Sequence, residues 1–153
     1  MEKEWNDLNK MERILVTYHQ FKYGICPELL YFPAKNQKMF ERDCNVLRKI
    51  GVKIKYSAKN KGYTSNLNSQ SQAEDLYIPE TDNKAEERFL RRLIRLIDAM
   101  NTLGEDVSDW YKMYYPDISP RTRQRDLETL RNIGYNFTYA GTWIVDVPMG
   151  FLF

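Results

Sequence analysis

Of 153 residues only two are cysteine and one is histidine. Cys26 and Cys44 lie in no CxxC pair and cannot complete a metal site with His19 alone, so both are expected to be reduced thiols, with no cofactor or metal. No apolar run approaches the roughly 20 residues that span a bilayer. The opening MEKEWNDLNK lacks the apolar core of a secretion signal, so a cytoplasmic location without membrane partners is expected. There is no P-loop or GxGxxG fingerprint, and His19 has no serine, cysteine or paired carboxylate at an informative spacing. Catalysis is therefore not expected. An excess of one charge is also missing: 23 Lys+Arg face 21 Asp+Glu, and the net charge of +2 excludes loose polycationic binding.

What the chain does have is aromatic and apolar content. It carries 7 Phe, 3 Trp and 11 Tyr within a hydrophobic fraction of 42%, too rich for a disordered chain. The charges are segregated along it. Residues 35–61 carry nine bases and two acids, a local +7, whereas residues 62–87 carry six acids and one base, a local −5. Screening limits each charge to about 10 Å at ordinary salt, so the local cluster, not the total, decides what a polyanion meets.

Comparing the chain with itself reveals an internal repeat. Residues 31–56 (YFPAKNQKMFERDCNVLRKIGVKIKY) align without a gap on residues 114–139 (YYPDISPRTRQRDLETLRNIGYNFTY), at an offset of 83 and with nine identities in 26 positions. The identical residues include Arg42-Asp43 with Arg125-Asp126, Leu47-Arg48 with Leu130-Arg131, and Ile50-Gly51 with Ile133-Gly134. A single ordinary domain gives way to two small ones, expected at 1–66 and 85–153 and joined by a polar, acidic linker at 67–84.

In the second repeat, residues 84–104 place Phe89, Leu93, Leu96, Ile97, Met100 and Leu103 on one helical stripe, with Arg88, Arg91, Arg92 and Arg95 expected largely off it. A short helix follows Ser108 as its cap and carries Trp110 and Met113 as far as Tyr115-Pro116. Ser119-Pro120 then opens a third helix, whose Leu127, Leu130 and Ile133 face inward until Gly134 ends it. Tyr135, Phe137 and Tyr139 alternate, and Trp143-Ile144-Val145 returns as an antiparallel strand. The first repeat has the same order: a long helix over Trp5, Leu8, Met11, Leu15 and Tyr18, a short one at 27–32, a third burying Phe40, Cys44 and Leu47, and a hairpin through Ile54, Tyr56 and Tyr63 with the tip SAKNKG. The expected fold is mainly α with small β-hairpin wings, two tandem winged helix-turn-helix domains.

Such a unit lays its third helix in the major groove of a DNA duplex while the wing meets phosphates. The second repeat offers Ser119, Arg121, Thr122, Gln124, Arg125 and, further along the helix, Arg131. Arginine takes a guanine edge and glutamine an adenine edge in bidentate fashion, whereas Ser and Thr suit phosphate. The first repeat offers Lys35, Asn36, Gln37, Lys38, Glu41 and Arg42 at the equivalent places, with Lys53, Lys55, Lys59 and Lys61 on its wing as point charges for the backbone. Tyr111, Tyr114 and Tyr115 are read as core positions before phosphate contacts, and Asp43 and Asp126 as structural.

The segment SPRTRQRDLETLRNIGY resembles the recognition helix of the DeoR-like winged helices at the N-termini of WYL-type transcriptional regulators. The likeness extends loosely over residues 107–147 and reaches the first repeat only through the internal duplication. It implies operator binding in bacteria or their phages, with Arg121, Thr122 and Arg125 facing DNA. Two departures stand out. Arg123 occupies a position that is usually aliphatic in the family, and no small-molecule sensor domain of the WYL kind is expected within these residues.

The function expected is sequence-specific recognition of double-stranded DNA by a transcriptional regulator, without enzymatic activity. About 20 linker residues reach at most roughly 65 Å, more than one DNA turn, so one chain could engage two half-sites. Whether it does so as a monomer or a homodimer stays open. The rival reading is a protein-interaction module on the same scaffold, and RNA or single strands form a third.

Overall fold

The computed structural model describes residues 7–23, 37–59, 62–67, 76–103, 106–139 and 143–146. The fold is mainly helical with two small antiparallel hairpins, in the order α1 (Lys10–Tyr23), α2 (Gln37–Lys49), β1 (Ile54–Ser57), β2 (Gly62–Ser65), α3 (Lys84–Thr102), α4 (Val107–Tyr114), α5 (Pro120–Asn132), β3 (Asn136–Tyr139) and β4 (Trp143–Asp146). β1 pairs with β2, with Tyr56 opposite Tyr63, and β3 pairs with β4, with Phe137 opposite Val145. None of the helices among the described residues is long and apolar enough to cross a membrane. The expected short helix at 27–32, together with Trp5, Cys26, Lys35, Asn36 and Lys61, lies outside the described residues.

Local chemistry sets the helix ends. Asn9 Oδ1 accepts from the Glu12 amide at 2.8 Å and Glu12 Oε1 accepts from the Asn9 amide at 3.0 Å, a capping box that starts α1. Asn83 caps α3 by accepting from the Ala85 and Glu86 amides. α4 is capped by Asp106, which accepts from the Asp109 amide, and not by Ser108 as the sequence suggested. A carboxylate one residue before the first turn reaches the free amides from outside the helix, a position Ser108, already helical, has passed. The Asp106 carboxyl is held below its usual range, first by the Asp109 backbone amide.

The repeat is realised down to single hydrogen bonds. After α2, Gly51 N–H donates to Arg48 O at 3.1 Å and Val52 N–H to Leu47 O at 3.1 Å. After α5, Gly134 N–H donates to Arg131 O and Tyr135 N–H to Leu130 O, both at 3.0 Å. This is the Schellman arrangement, and it places Gly51 and Gly134 alike at φ 107°.

Both repeats feed one continuous core. Phe40, Cys44 and Leu47 of α2 are fully buried as expected, as are Leu93, Leu96 and Ile97 of α3 and Leu130 of α5. α1 packs against α2, α3 and α5 together. Its polar positions Glu12, Thr17, His19, Gln20 and Lys22 are therefore buried along with its apolar stripe. Polar contacts carry the junction: Tyr23 Oη donates to Asn101 Oδ1 (2.8 Å), Asn101 Nδ2 to Tyr18 Oη (2.9 Å), and Asn132 Nδ2 to Glu12 Oε2 (2.8 Å). Part of the expected linker docks as well, since Tyr77 N–H donates to Ile50 O at 3.0 Å and Leu76 packs on the core. The shared core, not the reach of a free linker, sets the separation of α2 and α5.

Of the arginines expected off the α3 stripe, Arg88 and Arg91 are exposed and Arg92 is half-buried, but Arg95 is buried, only 8% exposed. A buried carboxylate on α5 draws it inward, and hydrophobic periodicity does not encode that partner.

Candidate nucleic-acid interface

α5 is built to present its N-terminal half. Ser119 lies in extended conformation, its Oγ accepts from the Thr122 amide at 3.2 Å and donates to Thr122 Oγ1 at 3.0 Å, and Pro120 fills the first helical position. Arg121, Gln124, Arg125 and Glu128 are exposed and share one face by their three- and four-residue spacings, while Thr122 is half-buried. Glu128 went unremarked in the sequence; it adds an acceptor suited to a cytosine amino group.

Asp126 fixes the orientation of that face. It is fully buried and accepts from Arg95 Nε (2.6 Å), Arg95 Nη2 (3.0 Å), Tyr111 Oη (3.1 Å) and, more weakly, Arg92 Nε (3.4 Å). Arg92 also donates to Thr129 Oγ1 at 2.8 Å. Burial opposes charge on Arg95, but the hydrogen bond and the charge of Asp126 win, and the guanidinium is held more firmly protonated than usual. Tyr111 is pushed well above the ordinary phenol value by burial and then by Asp126. In the first repeat Asp43, also buried, accepts from Arg13 Nε (2.6 Å) and Nη2 (2.9 Å). Each Arg-Asp pair of the repeat thus divides its work. The aspartate binds an arginine on the preceding long helix, and Arg42 or Arg125 is left exposed beside it.

On α2, Gln37, Lys38, Arg42, Asn45 and Lys49 are exposed. Glu41, which corresponds to Gln124 in the repeat, faces the hairpin instead. It accepts from Arg48 Nη1 at 2.7 Å and Tyr63 Oη at 2.8 Å, and Arg48 Nε donates to Ile54 O at 3.0 Å. Arg48 holds the Glu41 carboxyl below its usual range, and burial, then Glu41, pushes the Tyr63 phenol up to about 12. These bonds fasten the first hairpin to α2. Arg131, the counterpart of Arg48, is half-buried with its guanidinium 5.6 Å from the Phe137 ring centre, so it meets the second hairpin through a ring contact where Arg48 uses hydrogen bonds. The identity of Arg48 and Arg131 across the repeat was the signal for this contact with the hairpins.

Lys53, Lys55 and Lys59 are exposed on the first hairpin, with Ile54 buried between the first two. A recess of about 470 Å³ between α1 and α2 is lined by Lys10, Arg13, Arg42, Asp43 and Lys49; Lys49 Nζ also pairs with Glu86 at 3.2 Å, and Lys10 Nζ lies 4.9 Å from the Phe89 ring centre. Arg123 stacks its guanidinium 5.2 Å from the Tyr111 ring centre, at the repeat position that Phe40 fills in the first copy. Of the tyrosines, Tyr111 is core, Tyr115 donates to Asp98 from a half-buried position, and Tyr114 is exposed. Trp110 is buried, but Met113, which the sequence grouped with it, is 71% exposed. Among the described residues no cluster of three or more His, Cys, Asp or Glu is placed to hold a metal. No family model, curated protein or solved structure matches the chain.

Proposed function

We propose that the chain is a non-enzymatic, sequence-specific double-stranded DNA-binding regulator made of two winged helix-turn-helix units, acting in the cytoplasm at the nucleoid. One observation carries this reading: both repeats pin a buried aspartate to the long helix before it and so hold the adjacent arginine, Arg42 or Arg125, outward on a helix whose exposed face is basic and amide-rich. Arg121, Gln124 and Arg125 read base edges in the second unit. Ser119, the α5 amides and the hairpin lysines Lys53, Lys55 and Lys59 meet phosphates. Lys38 and Arg42 serve the first unit, and Arg131 contacts a hairpin.

Selection of the full chain on a random duplex library, followed by gel shift across a salt series, tests this. A consensus should emerge, with affinity falling steeply as salt rises. Arg121→Ala or Arg125→Ala should cost about 1 to 3 kcal/mol at particular base positions, and Lys55→Ala should weaken all sequences alike and lower the salt slope by about one. Retention without sequence preference, or competition by matched RNA at equal strength, overturns it. A protein-interaction role draws support from the exposed Met113 and Tyr114 on α4, and a stoichiometric protein complex with no DNA retention would favour it.

A further inference from the structure

The segment that connects the two repeats roofs a recess of about 350 Å³ on α3 and the turn before α5. Its walls are Leu76, Ile78, Ile94 and Ile118, with the Tyr77 and Tyr115 rings at the sides. Two arginine side chains, Arg91 and Arg95, one turn apart on α3, line the same space. Arg91 commits Nε and Nη2 to Glu87 Oε1, at 3.2 and 2.9 Å, and Arg95 commits Nε and Nη2 to Asp126. The remaining Nη1 of each has no partner among the described residues. An apolar hollow of ligand size with two unused guanidinium donors is an unusual combination for a mere packing defect, because ligand sites pair mostly apolar walls with a few convergent polar groups.

We propose that this recess binds a small monocarboxylate with an aliphatic or arylalkyl body. The carboxylate fits guanidinium donors, to which it makes charge-assisted bonds, and the body fits the isoleucine and leucine walls. An amine of the same shape would be repelled by both arginines. A compact polyanion such as phosphate would leave the apolar walls unused. Glu87 is a weak competitor for Arg91, since their pair lies largely in solvent and helix-surface pairs of this kind hold loosely. Arg95 also grips Asp126, so the bound carboxylate sits one guanidinium away from α5. The inference is independent of the DNA-binding reading.

Calorimetric titration of the full chain with hexanoate, octanoate and hydrocinnamate, with no nucleic acid present, tests it. Acetate supplies charge without a body, and hexanamide a body without charge. The three carboxylates should bind saturably at one site per chain, with acetate and hexanamide at least about tenfold weaker. Arg91→Ala should lose about tenfold, the value of one charge-assisted bond, and Ile78→Trp, which fills the recess from its roof, should abolish binding. Melting curves establish that both variants fold. Absence of saturable binding, equal binding of hexanamide, or binding that survives both substitutions overturns the proposal.

Discussion

Arg125 and its neighbour Asp126 are adjacent in sequence and opposite in role. Asp126 is fully buried against Arg95, so Asp126→Ala leaves that guanidinium buried without its partner. Unfolding in urea should show a loss of about 3 to 5 kcal/mol. Arg125→Ala, on the exposed face, should stay within about 0.5 kcal/mol of the parent in the same measurement, while losing DNA affinity. Equal stability losses would mean that the two side chains are not divided as described. His19 makes a second residue-scale test. It is 1% exposed, its Nδ1 is 3.4 Å from Tyr135 Oη, its Nε2 has no partner among the described residues, and burial lowers its pKa from 6.5 to about 4. Above pH 6.5 the ring is neutral in both the folded and the unfolded chain and costs nothing. As pH falls from 6.5 towards 4 the unfolded chain takes up a proton that the folded one refuses. Stability should therefore drop across that window, by about 3 kcal/mol for the full shift, with the loss complete below it. His19→Phe should flatten the pH dependence between about 5.5 and 6.5, above the range in which the carboxylates titrate; an unchanged slope would remove His19 as its source.

At the scale of elements, short polar contacts decide where helices stop and start. Ser119→Ala removes the side chain that accepts from the Thr122 amide and should lower stability by about 1 kcal/mol, with a matching drop in melting temperature. Gly51→Ala and Gly134→Ala force a Cβ into a backbone at φ 107° and should each cost about 1 to 2 kcal/mol. If the two glycine variants differ widely, the hydrogen-bonded turns they share are not energetically equivalent. These ends were legible in the sequence because Ser-Pro and Ile-Gly are local signals. The cap of α4 was misread, since Asp106 and Ser108 are both good caps and only the chain path chooses between them.

For the whole molecule, the central fact is that α1 serves both repeats. Leu15 is fully buried at the junction of α1 with its neighbours. Leu15→Ala should cost about 2 to 5 kcal/mol, and hydrogen exchange should report the loss in α2 and α5 together. Destabilisation confined to α2 would mean that the repeats unfold separately. The buried polar face of α1 follows from the same arrangement. Glu12, Tyr18 and Tyr23 find partners on α5 and α3, more than 75 residues away along the chain.

The sequence by itself determined the repeat, the two hairpins, the five helices described here apart from the start of α1, which begins at Lys10 and not over Trp5 and Leu8, and most of the inward stripes, because each depends on spacing within one element or on likeness between two. Only the tertiary structure decided that Arg95 goes inward, that Arg48 and Arg131 contact hairpins, that Lys10 and Lys49 line a recess with Arg42, and that the connecting segment roofs another. Those outcomes depend on which surfaces meet when the two copies close on α1. A buried charge goes wherever its counter-charge is, and no periodicity along a single helix records where that will be.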